Sequence, residues 1–272
     1  MTPAGTASAA LHRLEAIVDA MPAIAVAVSG GVDSLTLATV AGRRAADRTE
    51  MFHAVSAAVP LAATARVEAL AKQEGWTLRL IRPGELERPD YVANPVDRCL
   101  HCKRALYTTI VPHTSAQVVS GANLDDLGDY RPGLEAARES GVRHPLVEAG
   151  IDKAQVRRLA ALLGLGEIAE LPAAPCLSSR VETGIAIDAR TLVQIDAAER
   201  VLREATGAAA VRCRVRHAGI VIEIDGATLA RISADERQRL GDRVGRLFEL
   251  DAAHLPTFAA YRMGSAFLRI AT

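Results

Sequence analysis

Aromatic side chains are scarce in this sequence, which has 272 residues but only four Phe, four Tyr and one Trp. A surface that stacks successive bases of a single strand needs several aromatic rings in a row. A surplus of positive charge is also lacking, because 32 Lys and Arg residues balance 32 Asp and Glu residues. Nucleic-acid binding depends largely on such a surplus. We therefore expect no nucleic-acid partner.

Long apolar runs are absent too. The longest clean run, Ala23–Val28, has six residues, whereas a helix needs about 20 apolar residues to span a bilayer. The only Arg before that run, Arg13, is accompanied by Glu15 and Asp19, which does not match the basic segment of a signal peptide. We expect a cytoplasmic protein that has no membrane partner.

The length and the order of patterns predict two domains. Short apolar runs alternate with helical segments, which is typical of a parallel sheet covered by helices. The runs expected as strands are Ala23–Val28, Phe52–Ser56, Thr77–Arg82 and Gln117–Ser120, and the helices are Ser8–Ala20 with Ser8 as N-cap, Leu35–Arg43 and Leu61–Lys72. The fold class is therefore α/β, with a Rossmann-like parallel sheet over residues 1–175.

A smaller α+β domain is expected over residues 176–272. The stretch Leu171–Arg180 contains two prolines and has no periodicity, which predicts a loop between the two domains. Beyond it the pattern predicts a helix at Asp188–Glu204, a β-hairpin within Val211–Asp225 that turns at His217–Gly219, a helix at Ala234–Leu247 and a last strand at Ala266–Ile270.

The segment Ser29-Gly30-Gly31-Val32-Asp33-Ser34 joins a buried strand to a helix. Glycines let backbone N–H groups approach phosphate oxygens, hydroxyl groups add hydrogen bonds, and a helix N-terminus favours negative charge. The segment has neither the Gly-Lys-Ser/Thr of a Walker loop nor the Gly-x-Gly-x-x-Gly of a dinucleotide fold. A capped strand-to-helix turn without a ligand is the structural alternative to a phosphate loop.

A second polar segment, Asn123–Gly133, follows the expected strand Gln117–Ser120, at the edge where open α/β sheets bind ligands. Asp125, Asp126 and Asp129 are oxygen ligands suited to Mg²⁺, with Asp126 as the candidate ligand, and Arg131 can neutralise a phosphate. The alternative is an ordinary solvated acidic loop.

The four cysteines are too few to form a disulfide framework in a chain of this length. Cys213 lies between two arginines of the expected hairpin and should be a buried apolar residue. Cys99 and Cys102 would lie one turn apart on a helix, a spacing that permits zinc, an iron–sulfur cluster, a dithiol pair or two core thiols. Cys176 lies in a loop near Arg180, where a cation and free backbone amides favour a reactive thiolate.

Three arginines alternate along the first strand of the expected hairpin: Arg212, Arg214 and Arg216. Alternate residues of a strand project on one face, so these side chains could bind a phosphate or a carboxylate. The alternative is a solvated edge strand that charge protects from aggregation.

The hexapeptide Ser29–Ser34 resembles the PP-loop of the N-type ATP pyrophosphatases, which split ATP into AMP and pyrophosphate. Further segments resemble the LarE family, the ATP-dependent pyridinium-3,5-biscarboxylic acid mononucleotide sulfurtransferases of nickel-pincer nucleotide cofactor biosynthesis. These segments are Asn94–Lys103, Asn123–Gly133, Pro175–Arg180, Arg214–His217 and, with less weight, Tyr261–Ser265.

The resemblance implies an adenine nucleotide alpha hydrolase-like fold, ATP and Mg²⁺ as cofactors, and a homo-oligomer acting on a small nucleotide. A substrate carboxylate would attack ATP, and Cys176 would then attack the resulting acyl-adenylate. ATP-binding positions would be Ser29, Gly30, Gly31, Asp33, Ser34, Asn123, Asp125, Asp126 and Arg131, and substrate-binding positions would be Ser179, Arg180, Arg214 and Arg216.

Two routes for the sulfur are implied by the family. In one, Cys176 gives up its own sulfur and becomes dehydroalanine. In the other, Cys99, Cys102 and Cys176 hold a [4Fe–4S] cluster that carries the donated sulfide. The rival functions are a PP-loop amidating ligase resembling NAD synthetase, a tRNA thiolase, and an ATP-binding sensor without catalytic activity.

Overall fold

The computed structural model describes residues 3–128, 132–173 and 175–266. The chain divides into two compact units. The first unit comprises Met1–Glu85 and Cys99–Ala174, and the second comprises Leu86–Arg98 and Pro175–Thr272. Each unit has its own sheet.

The first unit is an α/β layer structure, as the alternating sequence pattern predicts. Its strands are β1 (Ile24–Ala27), β2 (Thr49–Ala54), β3 (Thr77–Ile81) and β4 (Gln117–Ser120). Its helices are α1 (Pro3–Asp19), α2 (Val32–Arg44), α3 (Leu61–Glu74), α5 (Arg98–Ile110, whose first residue belongs to the second unit), α6 (Pro132–Glu139), α7 (Pro145–Glu148) and α8 (Lys153–Leu162).

The four strands are parallel and ordered β3-β2-β1-β4, which confirms the predicted fold class. All four residues of β1 are buried because helices cover both faces of the sheet. Strand β1 pairs with β2 on one side and with β4 on the other, and the chain runs from β1 through β2 and β3 before it crosses to β4. Ligands of open α/β sheets bind where the strand order reverses, at the carboxyl ends of the strands. In this sheet that point lies between the segments that follow β1 and β4.

The second unit contains the predicted hairpin and a third strand. Its elements are α4 (Pro89–Val92), α9 (Ala189–Thr206), β5 (Val211–Arg216), β6 (Gly219–Ile224), α10 (Gly226–Arg231), α11 (Ala234–Leu247) and β7 (Thr257–Ala260). Strands β5 and β6 are antiparallel and Arg216 pairs with Gly219, which leaves His217 and Ala218 as the turn. Strand β7 adds to β6 in parallel.

One expected helix start was wrong, and one strand was not expected from the sequence. Helix α1 begins at Pro3, so Ser8 lies inside the helix and is not its N-cap. The sequence gives no alternation at Thr257–Ala260, yet this segment is a strand because β6 provides its hydrogen-bonding partners. The expected last strand, Ala266–Ile270, lies outside the described residues except for Ala266, which is in a turn. Within the described ranges no helix is both long and apolar enough to cross a bilayer.

Candidate functional site

The glycine segment follows β1 and opens α2. Gly30 has a positive φ of 81°, and a Cβ added to it would lie 2.8 Å from the carbonyl oxygen of Ala63 in α3. Only glycine fits this close approach without strain. Gly31, in contrast, is the extended N-cap of α2, and an added Cβ would make ordinary contact at 3.7 Å with Ser29 Oγ. The two glycines therefore have different structural roles.

The two predicted serines of the loop bond to each other. Ser34 Oγ donates to the carbonyl oxygen of Gly31 at 3.1 Å and accepts from the backbone N–H of Ser29 at 3.1 Å. The two hydroxyl oxygens are 3.0 Å apart, and Ser29 must be the donor because the single proton of Ser34 is already used. The loop is thus closed by its own side chains at the N-terminus of α2.

Asp33 joins the loop to the segment after β4. Its Oδ1 accepts from the side-chain amide of Asn123 at 3.1 Å, and its Oδ2 lies 2.5 Å from Lys153 Nζ at the start of α8. Asn123 is buried, whereas Asp33 and Lys153 are half-exposed. The structure therefore brings Asp33 and Asn123, both predicted from the sequence, into one site and adds Lys153 to it.

Gly121 explains how closely these two segments approach each other. A Cβ at this position would lie 2.7 Å from the backbone nitrogen of Ser34. The chain leaving β4 thus passes directly against the first turn of α2. The carboxyl ends of β1 and β4 form a single edge, as expected at the reversal of strand order.

The predicted acidic residues lie beside this edge. Asp126 Oδ2 accepts from the backbone N–H of Asn123 at 3.1 Å, and Asp125 Oδ2 accepts from the backbone N–H of Lys153 at 3.2 Å. Asp129 and Arg131 lie outside the described residues. Over the described ranges, no three His, Cys, Asp or Glu side chains form a group that could hold a metal ion. Magnesium binding at Asp126 thus stays a prediction.

Arg66 of α3 contacts the loop from its other side. Its Nη1 donates to the carbonyl oxygen of Gly30 at 2.7 Å. Nearby, the buried His53 bridges the carbonyl oxygen of Val28, 2.8 Å from Nδ1, and Thr64 Oγ1, 2.9 Å from Nε2. Burial lowers the pKa of His53, which favours the neutral ring at pH 7. Two side-chain contacts therefore fix α3 against the loop.

Cys99 and Cys102 lie about one turn apart in the first turn and a half of α5. Both are half-exposed, and neither is in a disulfide. Helix α6 packs closely on this region, because a Cβ at Gly133 would lie 3.0 Å from Lys103 Cγ and 3.6 Å from the carbonyl oxygen of Cys99. The two thiols belong to a packed helix, at a spacing that suits two ligands of one cluster.

In the second unit, Cys176 is half-exposed at the start of a single 3₁₀ turn, Leu177–Arg180. The Nη1 of Arg180 donates to the carbonyl oxygens of Pro175 and Cys176 at 2.6 and 3.1 Å, and to Ser179 Oγ at 3.0 Å. These contacts of Arg180 with Cys176 involve the backbone rather than the sulfur. Arg180 thus fixes the loop that carries the thiol.

The remaining donors of Arg180 go to a buried carboxylate, Glu199 of α9. Glu199 also accepts from Arg203 Nη2 at 2.5 Å and from the backbone N–H of Cys213 at 3.1 Å. Burial raises the pKa of Glu199, but the hydrogen bond from Arg180 and the charges of Arg180, Arg203 and Arg212 lower it more, so it lies below the ordinary value. Glu199 is therefore ionised, and it joins Arg180, Arg203 and the backbone of Cys213.

The arginine face of β5 is paired with a second buried carboxylate, Glu223 of β6. Arg214 Nε lies 3.0 Å from Glu223 Oε2 and Arg216 Nη2 lies 2.7 Å from Glu223 Oε1. Ser265 Oγ donates to the same Oε1 at 2.6 Å. Arg214 Nη1 also donates to the carbonyl oxygen of Ser179 at 2.9 Å, which links this face to the Cys176 loop.

Arg212 and Arg214 are buried, and only Arg216 is half-exposed. Most of the arginine face of β5 is therefore not a solvated edge strand, which was the alternative to an anion site. Arg212 lies over the ring of Tyr261, 5.5 Å from its centroid. Cys213 is fully buried, as predicted, and burial raises the pKa of its thiol. The second unit holds more guanidinium groups than buried carboxylates here, which suits an anion.

The Asn94 segment belongs to the second unit and braces the chain after Cys176. Asn94 is buried with a φ of 52°, and its side-chain amide donates to the carbonyl oxygens of Glu182 and Ile185, each at 2.9 Å. Its Oδ1 accepts from Arg98 Nη1 at 2.8 Å. An asparagine tolerates a positive φ and supplies these donors, which explains the residue type.

Sequence reasoning missed four charged residues of these sites: Arg66, Lys153, Glu199 and Glu223. One signal was available, because Glu223 interrupts the apolar run Ile220–Ile224 and pairs directly with Arg212, on the same face of the sheet as the arginines. Lys153 lies within the capping box formed by Asp152 and Gln155, as the first residue of α8. Its contact with Asp33 spans 120 residues, and no local pattern encodes such a pair.

Comparison with known proteins gives relatives over most of the chain. No family model matches it. An uncharacterized protein of Synechocystis sp. is 40% identical over 182 residues, which cover 65% of this chain and 68% of that protein. An uncharacterized protein of Methanocaldococcus jannaschii is 28% identical over 209 residues, which cover 74% of this chain and 78% of the relative.

A third relative has a named activity. The pyridinium-3,5-bisthiocarboxylic acid mononucleotide synthase of Lactiplantibacillus plantarum is 30% identical over 224 residues, which cover 76% of each chain. This extent includes parts of both units, since 224 aligned residues exceed the length of either. The chain therefore belongs to the LarE family, the family of that synthase.

Proposed function

We propose that this protein is an ATP-dependent sulfurtransferase that converts a carboxylate of pyridinium-3,5-biscarboxylic acid mononucleotide into a thiocarboxylate. The observation that carries the proposal is Cys176: in this relative of a bisthiocarboxylic acid mononucleotide synthase, the cysteine is half-exposed and lies in a loop that the buried guanidinium group of Arg180 holds in place. The phosphate loop of the first unit supports the use of ATP. We also propose that the protein acts as a homo-oligomer, as the family resemblance implies.

The first step is adenylation. A carboxylate oxygen of the substrate attacks the α-phosphorus of ATP, and the bond from that phosphorus to the pyrophosphate oxygen breaks. The loop Ser29–Ser34 and the N-terminus of α2 are suited to hold the phosphates. Asp126 is the carboxylate that would hold the Mg²⁺ accompanying ATP, which would offset phosphate charge.

The second step uses the thiol. The thiolate of Cys176 attacks the acyl carbon of the adenylate, a thioester forms, and AMP leaves. The buried Arg180 keeps the loop in place, and Arg214 with the half-exposed Arg216 offers positive charge to the phosphate or the second carboxylate of the substrate.

Release of the product requires one further bond to break. In the sacrificial route, the Cα proton of Cys176 leaves and its Cβ–S bond breaks, which gives the thiocarboxylate and dehydroalanine without any oxidant. In the alternative route, a [4Fe–4S] cluster would supply a bound sulfide as the sulfur source. Cys99 and Cys102 fit two ligands of such a cluster, and Cys176 is the proposed third.

The test compares wild-type protein with Cys176→Ala. Both are expected to release pyrophosphate when ATP and the dicarboxylate mononucleotide are added, because adenylation needs only the nucleotide and the carboxylate. Only the wild type should form thiocarboxylate, which mass spectrometry of the small molecules detects. Thiocarboxylate formation by Cys176→Ala at the wild-type rate would overturn the role of Cys176. ATP binding without pyrophosphate release would instead indicate a nucleotide sensor.

A further inference from the structure

The phosphate loop has no basic residue of its own. Within Ser29–Ser34 the only charged side chain is Asp33, which is negative. Backbone N–H groups and a helix N-terminus supply only partial positive charges. A triphosphate carries several full negative charges, so further cations must come from elsewhere in the fold or from metal ions.

Two basic side chains of the described structure contact residues of the loop. Lys153 reaches it from α8 and is already paired with Asp33, with 2.5 Å between Nζ and Oδ2. Arg66 reaches it from α3, where Nη1 donates to the carbonyl oxygen of Gly30 at 2.7 Å. The charge of Lys153 is therefore compensated by a carboxylate of the loop, whereas Arg66 contacts only a backbone carbonyl oxygen of the loop.

Arg66 is partly buried, and in the described part of the chain no carboxylate pairs with it. Burial lowers the pKa of its guanidinium group without an opposing acidic neighbour. A guanidinium has five N–H donors, and the contact with Gly30 uses one of them. An Arg in this state gains from an anion that both neutralises and hydrogen-bonds it.

The position of Arg66 is also fixed. Ala63 lies one turn before it on the same face of α3, and the Ala63 carbonyl oxygen is within 2.8 Å of the site of a Gly30 Cβ. His53 holds Thr64 at 2.9 Å. We propose that Arg66 binds the pyrophosphoryl group of the nucleoside triphosphate held by the loop and so provides the cation that the loop sequence lacks. The inference rests on the proposed function in that it needs the loop to bind ATP.

The test separates charge from loop anchoring. Arg66→Lys keeps the positive charge, whereas Arg66→Gln keeps an N–H donor for the Gly30 carbonyl oxygen but loses the charge. Arg79→Gln is the matched control, since Arg79 pairs with Glu50 at 2.8 Å on exposed strand positions. Isothermal titration calorimetry measures the affinity of each protein for inorganic pyrophosphate, ATP and AMP.

We expect Arg66→Gln to bind pyrophosphate and ATP about tenfold more weakly than wild type and Arg66→Lys to stay within about threefold. Arg79→Gln should match wild type, and AMP should bind all four proteins equally. Equal affinities of Arg66→Gln and Arg66→Lys for pyrophosphate, or weaker AMP binding by Arg66→Gln, would overturn the inference. If the wild type bound neither ATP nor pyrophosphate, both this inference and the proposed function would be wrong. If the wild type bound both and the Arg66 variants did not differ as expected, only the role of Arg66 would be wrong.

Discussion

Arg180 and Glu199 form a bidentate ion pair, with 2.8 Å from Nε to Oε1 and 3.0 Å from Nη2 to Oε2, and both side chains are almost fully buried. The third nitrogen of the same guanidinium holds the carbonyl oxygens of Pro175 and Cys176. A buried charge pair therefore sets the backbone of the proposed nucleophile. Glu199 touches no part of the thiol, so it is a positioning residue.

Glu199→Gln should strongly destabilise the protein. The change keeps the shape of the side chain but leaves the guanidinium of Arg180 buried without its counter-charge, which costs about 3–5 kcal/mol of unfolding free energy. Urea denaturation followed by circular dichroism measures this. Glu135→Gln is the control, because its pair with Arg138 is solvent-exposed and should leave the midpoint unchanged. Equal midpoints for Glu199→Gln and wild type would contradict the prediction.

The same pair predicts a pH dependence. Because the pKa of Glu199 in the folded protein lies below its ordinary value of 4.5, the folded state gains stability when this carboxyl is ionised. This contribution is complete above pH 4.5 and is lost as the pH falls through the folded-state pKa. The difference in unfolding free energy between wild type and Glu199→Gln should therefore be constant near pH 7 and narrow below pH 4.5. If this difference in unfolding free energy widened on acidification, the pKa of Glu199 would not be lowered in the folded protein.

Local patterns predicted the first unit well. The buried run around β1, the glycine segment and the alternation of strands and helices depend on short-range periodicity, which the sequence displays directly. Asp33 and Asn123 were both identified because each follows a strand at the carboxyl edge. Their contact required the additional knowledge that β4 lies beside β1.

Long-range pairs account for what the sequence did not reveal. Glu199 is one of several charged residues in the amphipathic helix α9, and the neighbouring sequence does not show that this glutamate is buried while the others are solvated. The arginines of β5 were predicted to face an anion, and the structure shows that a protein carboxylate, Glu223, already occupies part of that face. Side chains that pair across the chain depend on packing, which sequence periodicity does not encode.

The two loop glycines give a clean test of ATP binding. Gly31→Ala should fold normally, because the φ of −87° suits any residue and the new methyl group meets only Ser29 Oγ at 3.7 Å. It should still weaken ATP binding, since the methyl group occupies space next to the N–H groups that receive phosphate. Calorimetric titration with ATP measures the loss, which we expect to be tenfold or more.

Gly30→Val is the less useful variant, although it should also abolish ATP binding. A side chain at φ 81° and 2.8 Å from the Ala63 carbonyl oxygen strains the loop even without ligand, so loss of stability should accompany loss of binding. A folded Gly31→Ala protein with wild-type ATP affinity would contradict phosphate binding by this loop.

Arg216→Met should weaken binding of the substrate mononucleotide while leaving ATP affinity unchanged. Arg216 is half-exposed and shares Glu223 with the buried Arg214, so its removal still leaves that carboxylate with one guanidinium partner. Loss of a charge-assisted hydrogen bond should weaken substrate binding about tenfold. Arg214→Ala is a poorer probe because it would leave a buried carboxylate short of charge. Weaker ATP binding by Arg216→Met would place this arginine with the triphosphate instead.

Cys99→Ser and Cys102→Ser separate the two sulfur routes. If Cys176 is the sacrificial donor, both variants should complete one turnover, and each polypeptide should become about 34 Da lighter as H₂S is lost from Cys176. If a cluster donates the sulfur, anaerobically purified wild type should be brown, and either change should remove both the colour and turnover. Cys213→Ala is the control, because this fully buried thiol belongs to neither route. Repeated turnover by both serine variants without any change in mass would contradict both routes, since sulfur would then come from neither Cys176 nor a site that needs Cys99 and Cys102.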